Sequence, residues 1–270
     1  MFRGLYTAAS GMLSQQSRIE MLTNNIANAN TPGYKADQAS LRAFPELFMQ
    51  RLEQPTVPTA KPLSRRNRTP IGTLHTGVYM QELRPNFAQG DLRETGNRTD
   101  LALVDGTLPT DPYALFFTVQ NADGAVRYTR NGHFTLDADG FLTTDEGFYV
   151  LDENGDRIQL GSDDFTVLAD GTIMQNDEIV ARLGVAFAAD KHALVKEGNG
   201  LFRSENGELP QANGQAYQIR QGFLERSNVD LSRTMTDMLS AYRAFEANQK
   251  ILQAYDKSMD KAVNEIGRLK

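Results

Sequence analysis

The chain has no cysteine and no tryptophan among its 270 residues, and only three histidines. Without cysteine there are no disulfides, no thiol catalysis and no thiolate metal sites. His75, His133 and His192 are too far apart in sequence for a helical zinc pair, which needs two imidazoles three or four residues apart. Each is read as an isolated hydrogen-bonding residue. No stretch approaches the roughly 18 apolar residues that span a bilayer, so membrane insertion is not expected. The opening, MFRGLYTAASGM, lacks the continuous apolar run of a secretory signal, so neither signal cleavage nor classical secretion is expected. Excess positive charge is missing too. The net charge is −6, which argues against a nucleic-acid partner.

Catalytic patterns are equally scarce. There is no G-x-S-x-G, no H-E-x-x-H and no P-loop. DENGDR at 152–157 begins like a calcium loop, but its sixth position is Arg157 instead of Gly and its twelfth is Asp163 instead of Glu. It is read as a hairpin turn. Asp163–Asp164 and Asp152–Asp156 are paired carboxylates of the kind a glycosidase uses. They lie in turn signals, where Asp is expected for backbone reasons. No active site, metal site or cofactor is expected.

What the chain does have is two matching ends. From the N-terminus, one heptad position reads Leu5, Met12, Ile19, Ile26, and the other Ala8, Gln15, Leu22, Ala29. Pro32 and Gly33 stop this helix. From Leu231, one position reads Leu231, Met238, Phe245, Leu252, Met259, Ile266. The other reads Thr234, Ala241, Asn248, Tyr255, Ala262, Leu269. Ser227, Asn228 and Asp230 are candidate N-caps. The period is 3.5 and the apolar stripe is narrow, which predicts a coiled coil between the two terminal helices. Small seam residues such as Ala8 and Ala241 allow close approach, and Asn248 would fix register.

The segment NNIANANTPGYK, residues 24–35, puts four asparagines at the end of the first helix. Asn is a mediocre helix former because its amide competes for backbone hydrogen bonds. Asn24, Asn25 and Asn28 are therefore read as interface groups that bond to neighbouring subunits, with capping at the helix end as the local alternative. The expected assembly interface is thus Leu5, Met12, Ile19, Leu22, Asn24, Asn25, Ile26 and Asn28 with Leu231, Met238, Phe245, Asn248, Leu252, Tyr255, Met259 and Ile266.

Between the helices the chain is punctuated by turn signals: DG at 123–124, NG at 131–132, DG at 139–140, EG at 146–147 and NG at 154–155. Short alternating runs such as VRYTR and FYVLD separate them. This predicts a mainly β domain, meander or sandwich-like, with type I′ hairpin turns at Asn-Gly and Asp-Gly. The expected division is an N-terminal helix over 1–35, a linker or extended arm over 36–77, a β-rich domain over 78–226, and a C-terminal helix over 227–270. Within the linker, Lys61, Arg65, Arg66 and Arg68 form a basic stretch. It is read as a solvated connector, or else as an arm that contacts an acidic neighbour.

Three segments carry a family resemblance. LYTAASGMLSQQSRIEMLTNNIANANTPGYK resembles the N-terminal signature of flagellar rod and hook axial proteins. YTRNGHFTLDADGFLTTDEGFYVLD resembles their central β signature, and QGFLERSNVDLSRTMTDMLSAYRAFEANQKILQAYDKSMDKAV their C-terminal one. The match is weakest over 36–75. GTLHTGVYMQELRPNFAQGDLRETGN is most similar to the distal rod protein and its relatives. One departure is an apparent insertion at Thr107–Tyr113.

The resemblance implies a non-enzymatic subunit of the flagellar basal body. It implies self-assembly into a helical polymer, with the paired helices as an inner tube and the β domain outside. It also implies export by the flagellar type III apparatus and neighbouring rod and hook proteins as partners. A hook or hook-junction component is the nearest alternative within the family. A peptidoglycan-remodelling enzyme and a tail-fibre-like trimer are the alternatives outside it.

Overall fold

The computed structural model describes residues 2–53, 67–106, 113–212 and 217–266. Helix α1 (Phe2–Ala27) opens the chain, and α2 (Leu231–Lys261) closes it with one π-type turn at Ala262–Ile266. The residues between them form strands. The chain divides into two compact units, one drawing on Met1–Asn24, Gln38–Arg84 and Ser232–Lys270, the other on Asn25–Asp37 and Pro85–Leu231.

In the first unit the heptad positions of α2 make up its covered stripe. Thr234 and Ala241 are buried, and Met238, Phe245, Asn248, Leu252, Tyr255, Met259 and Ala262 are half-buried, among mostly exposed neighbours. Met21, Leu22 and Ala241 form a buried cluster, with Ile19, Ala39 and Met238 packed against it. Further along, small residues set the approach. A Cβ on Gly4 would collide with the Tyr255 ring, and one on Gly11 would lie 3.1 Å from Asn248 Nδ2. Thr23 Oγ1 lies 3.8 Å from Met238 Sδ. Positions 4, 11 and 23 thus meet 255, 248 and 238, so the two helices run antiparallel along this stripe.

Residues 36–77, read from the sequence as a linker or extended arm, carry three strands: β1 (Asp37–Ala43), β2 (Leu47–Glu53) and β3 (Asn67–Leu74). β2 and β3 form an antiparallel ribbon from Leu47↔Leu74 to Glu53↔Asn67, irregular between Met49 and Gln50. β1 pairs with β4 (Val78–Pro85). The Pro and Thr content that suggested a connector is compatible with this ribbon. Pro70 lies beside the irregularity in a two-stranded sheet, where a missing N–H is tolerated. Thr is β-branched and suits a strand. The start of β4 and the link before it are tied to α1, with Thr7 Oγ1 donating to Thr76 O at 3.1 Å and Ser14 Oγ to Val78 O at 3.0 Å. Lys61, Arg65 and Arg66 lie outside the described residues.

The second unit is β-rich. Its strands are β5 (Leu92–Glu94), β6 (Leu101–Asp105), β7 (Ala114–Gln120), β8 (Val126–Thr129), β9 (Phe134–Leu136), β10 (Leu142–Thr144) and β11 (Tyr149–Val150). They continue with β12 (Thr166–Val167), β13 (Thr172–Gln175), β14 (Glu178–Arg182), β15 (Val185–Ala188), β16 (Leu194–Gly198), β17 (Leu201–Ser204), β18 (Tyr217–Gln221) and β19 (Phe223–Glu225). The main sheet runs β16-β17-β8-β7-β11-β10-β9, with β15 also on β7. β7, ALFFTVQ, is buried along almost its whole length, the continuous apolar pattern of a strand covered on both faces. Leu115, Phe117 and Val119 from one side of β7 enter a core with Phe134, Leu142 and Ile173. Phe116 from the other side packs with Phe87 and Phe202.

β9-β10-β11 and β12-β13-β14 are simple meanders; β8 pairs with β7 and β17, and β15 returns to β7. The expected type I′ turns are mostly something else. Gly124, Gly140, Gly147 and Gly155 have positive φ, but the residues before them do not. A single left-handed glycine after a type I turn fits this pattern better than a type I′ pair. Two consecutive positive-φ residues occur at Asn176–Asp177, between β13 and β14. Asn131–Gly132 forms no hairpin: Gly132 passes so close to Leu101 O that a Cβ would collide with it. The Thr107–Tyr113 insertion lies outside the described residues except for Tyr113, which stacks on Phe187 at 6.1 Å between ring centroids.

Candidate functional site

Three charged side chains meet in the interior of the β-rich unit. Glu225 ends β19, Arg130 follows β8, and Lys35 follows the turn that ends at Gly33. Their side chains are 1–2 % exposed. Lys35 Nζ lies 2.7 Å from Glu225 Oε1, and Arg130 Nε lies 2.6 Å from Glu225 Oε2. Arg130 Nη1 also reaches Asp105 Oδ1 at 2.9 Å and Leu115 O at 2.7 Å, and its Nη2 reaches Leu103 O at 3.0 Å. Gly90 N donates to Glu225 Oε1 at 2.8 Å, and Lys35 Nζ donates to Ala88 O at 2.8 Å. Two cations thus face two carboxylates, and every buried head group is paired, as burial of charge requires.

The members respond differently. Burial pushes the Glu225 carboxyl up, but Arg130 and Lys35 outweigh it and hold the group below its ordinary value. Burial and the nearby Arg130 push the Lys35 ammonium below its ordinary value, against the pull of Glu225. Burial disfavours the Arg130 charge, but Glu225 and Asp105 more than compensate. The opposite shifts within one ion pair follow from the counts. Glu225 has two cations, whereas Lys35 has one close anion and a guanidinium that repels it.

A backbone frame surrounds the cluster. Gly33 N donates to Glu225 O at 2.8 Å. Gly33 has φ +68°, and a Cβ there would collide with the Arg130 backbone. Asn228, one of the candidate helix caps, uses its amide elsewhere: Oδ1 accepts from Ala36 N at 2.8 Å, while Nδ2 donates to Asn86 O at 2.8 Å and Ala88 O at 3.0 Å. Asn25 is buried and donates to Asp37 O at 2.9 Å; its Oδ1 accepts from Asp37 N at 2.9 Å and Tyr34 Oη at 3.2 Å. Its amide therefore bonds within its own chain. Burial, then the Asp37 carboxylate, pushes the Tyr34 phenol well up. Lys196 Nζ sits 3.1 Å from Asp37 Oδ2 and 4.0 Å from the Tyr34 ring centroid.

The other expected interface residues fall in three groups. Leu22 is buried, and Leu5, Met12, Ile19 and Ile26 on α1 are half-buried, as are Met238, Phe245, Asn248, Leu252, Tyr255 and Met259 on α2. Asn24 and Leu231 are exposed. Asn28 lies beyond the end of α1 and accepts from Thr31 Oγ1 at 3.3 Å. Ile266 falls in the closing π-type turn.

Lys35, Arg130 and Glu225 are not among the residues singled out from the sequence. Each lies inside one of the three signatures, in NTPGYK, YTRNG and GFLERSN. No local pattern marks them, since the partner lies up to 190 positions away.

Elsewhere the polar groups are structural. Asp152 Oδ1 accepts from Asn154 N and Asp156 N, both at 2.8 Å, so DENGDR is a turn. Among the described residues no group of three His, Asp or Glu side chains is placed to hold a metal. His133 Nδ1 lies 2.5 Å from Asp100 Oδ1 at an open groove of about 350 Å³. Thr95 Oγ1 and Asn97 Nδ2 bond the other oxygen of Asp100. No described helix is long and apolar enough to cross a membrane.

Three families match the chain: "Flagella basal body rod protein" over residues 5–35, "Flagellar hook protein FlgE/F/G D1 domain" over 115–175, and "Flagellar basal body rod FlgEFG protein C-terminal" over 220–265. The signatures that carry Lys35, Arg130 and Glu225 fall one in each. The flagellar hook-basal body complex protein FlhO of Bacillus subtilis is 46% identical, with 100% of both chains covered. The flagellar basal-body rod protein FlgF of Caulobacter vibrioides is 34% identical over 100% of both. The flagellar basal-body rod protein FlgG of B. subtilis is 32% identical over 98% of this chain and 99% of its own. The chain belongs to the flagellar basal-body rod and hook-basal body protein family, as a structural component of the flagellum and not an enzyme.

Proposed function

We propose that this chain is an axial subunit that self-assembles into a helical tube within the rod or hook-basal body, through its terminal helices. One observation carries the reading. From Thr234 onward the heptad stripe of α2 is covered by its own chain, yet a second apolar stripe stays open. Met235, Leu239 and Tyr242 are each exposed and recur at three- and four-residue steps along α2. On α1, Tyr6 and Leu13 are exposed on the face away from Gly4 and Gly11. Contiguous exposed apolar stripes mark association surfaces. On this reading the helix contacts divide in two: the heptads pair α1 with α2 as a coiled coil within a subunit, and the open stripes meet other subunits.

The same reading makes 1–35 and 227–270 the axial helices, 36–77 an arm, and 78–226 the outward β domain. Neighbouring rod and hook proteins are its partners above and below. The subunit reaches the basal body through the flagellar export apparatus.

The test is complementation. In a strain lacking this chain, the wild-type gene should restore motility, and the protein should co-purify with hook-basal bodies. Leu239→Lys with Tyr242→Lys should leave the protein folded but absent from those particles. Incorporation of the double variant at the wild-type level would overturn the reading.

A further inference from the structure

We propose that two segments of the β-rich unit dock in a fixed order: residues 225–228 seat first, and residues 33–36 close as a latch on the seated Glu225. The partners of each charge carry the argument. Arg130 needs neither segment, since Asp105, Leu103 O and Leu115 O hold its guanidinium from β6 and the start of β7. Its seat is therefore built from the strands themselves. Glu225 needs only that seat. Arg130 Nε and Gly90 N occupy its two oxygens even without Lys35. Lys35 is the dependent member. Its ammonium has Glu225 and Ala88 O, and without Glu225 it would be a buried cation with a neutral acceptor and Arg130 nearby.

The backbone joins the two segments by bonds in both directions: Gly33 N donates to Glu225 O, Ala36 N to Asn228 Oδ1, and Asn228 N to Tyr34 O at 3.4 Å. The asymmetry lies in what else holds each segment. Asn228 is held separately by Asn86 O and Ala88 O. The 225–228 segment also has strand support of its own, because β19 pairs with β5 from Phe223↔Glu94 to Glu225↔Leu92. Residues 33–36 belong to no strand. A chain whose C-terminal segment is not yet in place thus has no seat for Lys35, and the N-terminal segment stays unlatched until then.

The test is amide hydrogen exchange on the full chain, comparing wild type with Lys35→Met and Glu225→Gln. Lys35→Met keeps the stem's packing and leaves Glu225 paired with Arg130. It should speed exchange at residues 33–37 by about tenfold or more while residues 223–228 stay within about twofold of wild type. Glu225→Gln should speed both segments. If Lys35→Met releases 223–228 as strongly as 33–37, the docking is mutual and the order is wrong. If Glu225→Gln leaves 33–37 protected, the latch does not depend on Glu225 and the proposal fails. Should Glu225→Gln not fold, Lys35→Met decides alone by whether 223–228 keeps its protection.

Discussion

Lys35 and Glu225 are 190 residues apart in the chain and 2.7 Å apart in space, both almost fully buried. With Arg130 they join the N-terminal, central and C-terminal signatures at one point in the β-rich unit. A structural protein that must hold both ends of its sequence to one frame has reason to bury such a pair. The charges add little net stability when paired, but cost a great deal when one is removed.

Removing the carboxylate charge should therefore be severe. Glu225→Gln leaves Lys35 and Arg130 buried with Asp105 as their one remaining nearby carboxylate. We expect a loss of about 3–5 kcal/mol in the unfolding free energy, measured by denaturant titration followed by near-UV absorbance or fluorescence of tyrosine. A loss below about 1 kcal/mol would mean the cluster is not buried in solution.

The same pair predicts a pH dependence. The Glu225 carboxyl is held below its ordinary value of 4.5. A group depressed in the folded state contributes its stability in full above the unfolded value, and loses it as pH falls through the folded one. The stability gap between wild type and Glu225→Gln should be constant near neutrality and shrink as pH drops below about 4.5. A gap that widens on acidification would contradict the assignment.

Gly33→Ala tests the approach of the turn to Arg130. Its φ of +68° and the collision of a Cβ with the Arg130 backbone both oppose any side chain there. We expect about 1–3 kcal/mol of destabilisation, with faster exchange centred on residues 31–36. Thermal unfolding gives the first number and hydrogen exchange the location.

In the helical unit, Ala241→Asp places a carboxylate in the buried cluster with Met21 and Leu22, where Ala241 is 1% exposed. An unpaired charge there should cost several kcal/mol. Circular dichroism should show loss of helix signal with the β contribution retained. An unchanged helix signal would place Ala241 on an open face.

Much of this architecture was legible in the sequence because it is periodic. The seven-residue spacing of Met238, Phe245, Leu252 and Met259 is also a spacing of half-buried positions on α2. Other features depend on contacts that have no local period. Asn25 pairs with Asp37 across the helix end, so an amide that looked available for other subunits is occupied at home. The strands in residues 36–77 were hidden because Pro and Thr serve connectors and two-stranded ribbons alike. Asn131–Gly132 looked like a hairpin turn, but Gly132 is there to admit Leu101 O. The buried cluster was least legible, since a lone lysine, arginine or glutamate carries no mark of its distant partner.

The most direct test of the assembly account is sedimentation velocity of the purified chain over a wide concentration range, beside Leu239→Lys with Tyr242→Lys. The account predicts concentration-dependent growth into long polymers for the wild type and a folded monomer for the double variant. A wild-type chain that stays monomeric at every concentration, or stops at a discrete trimer, would contradict it.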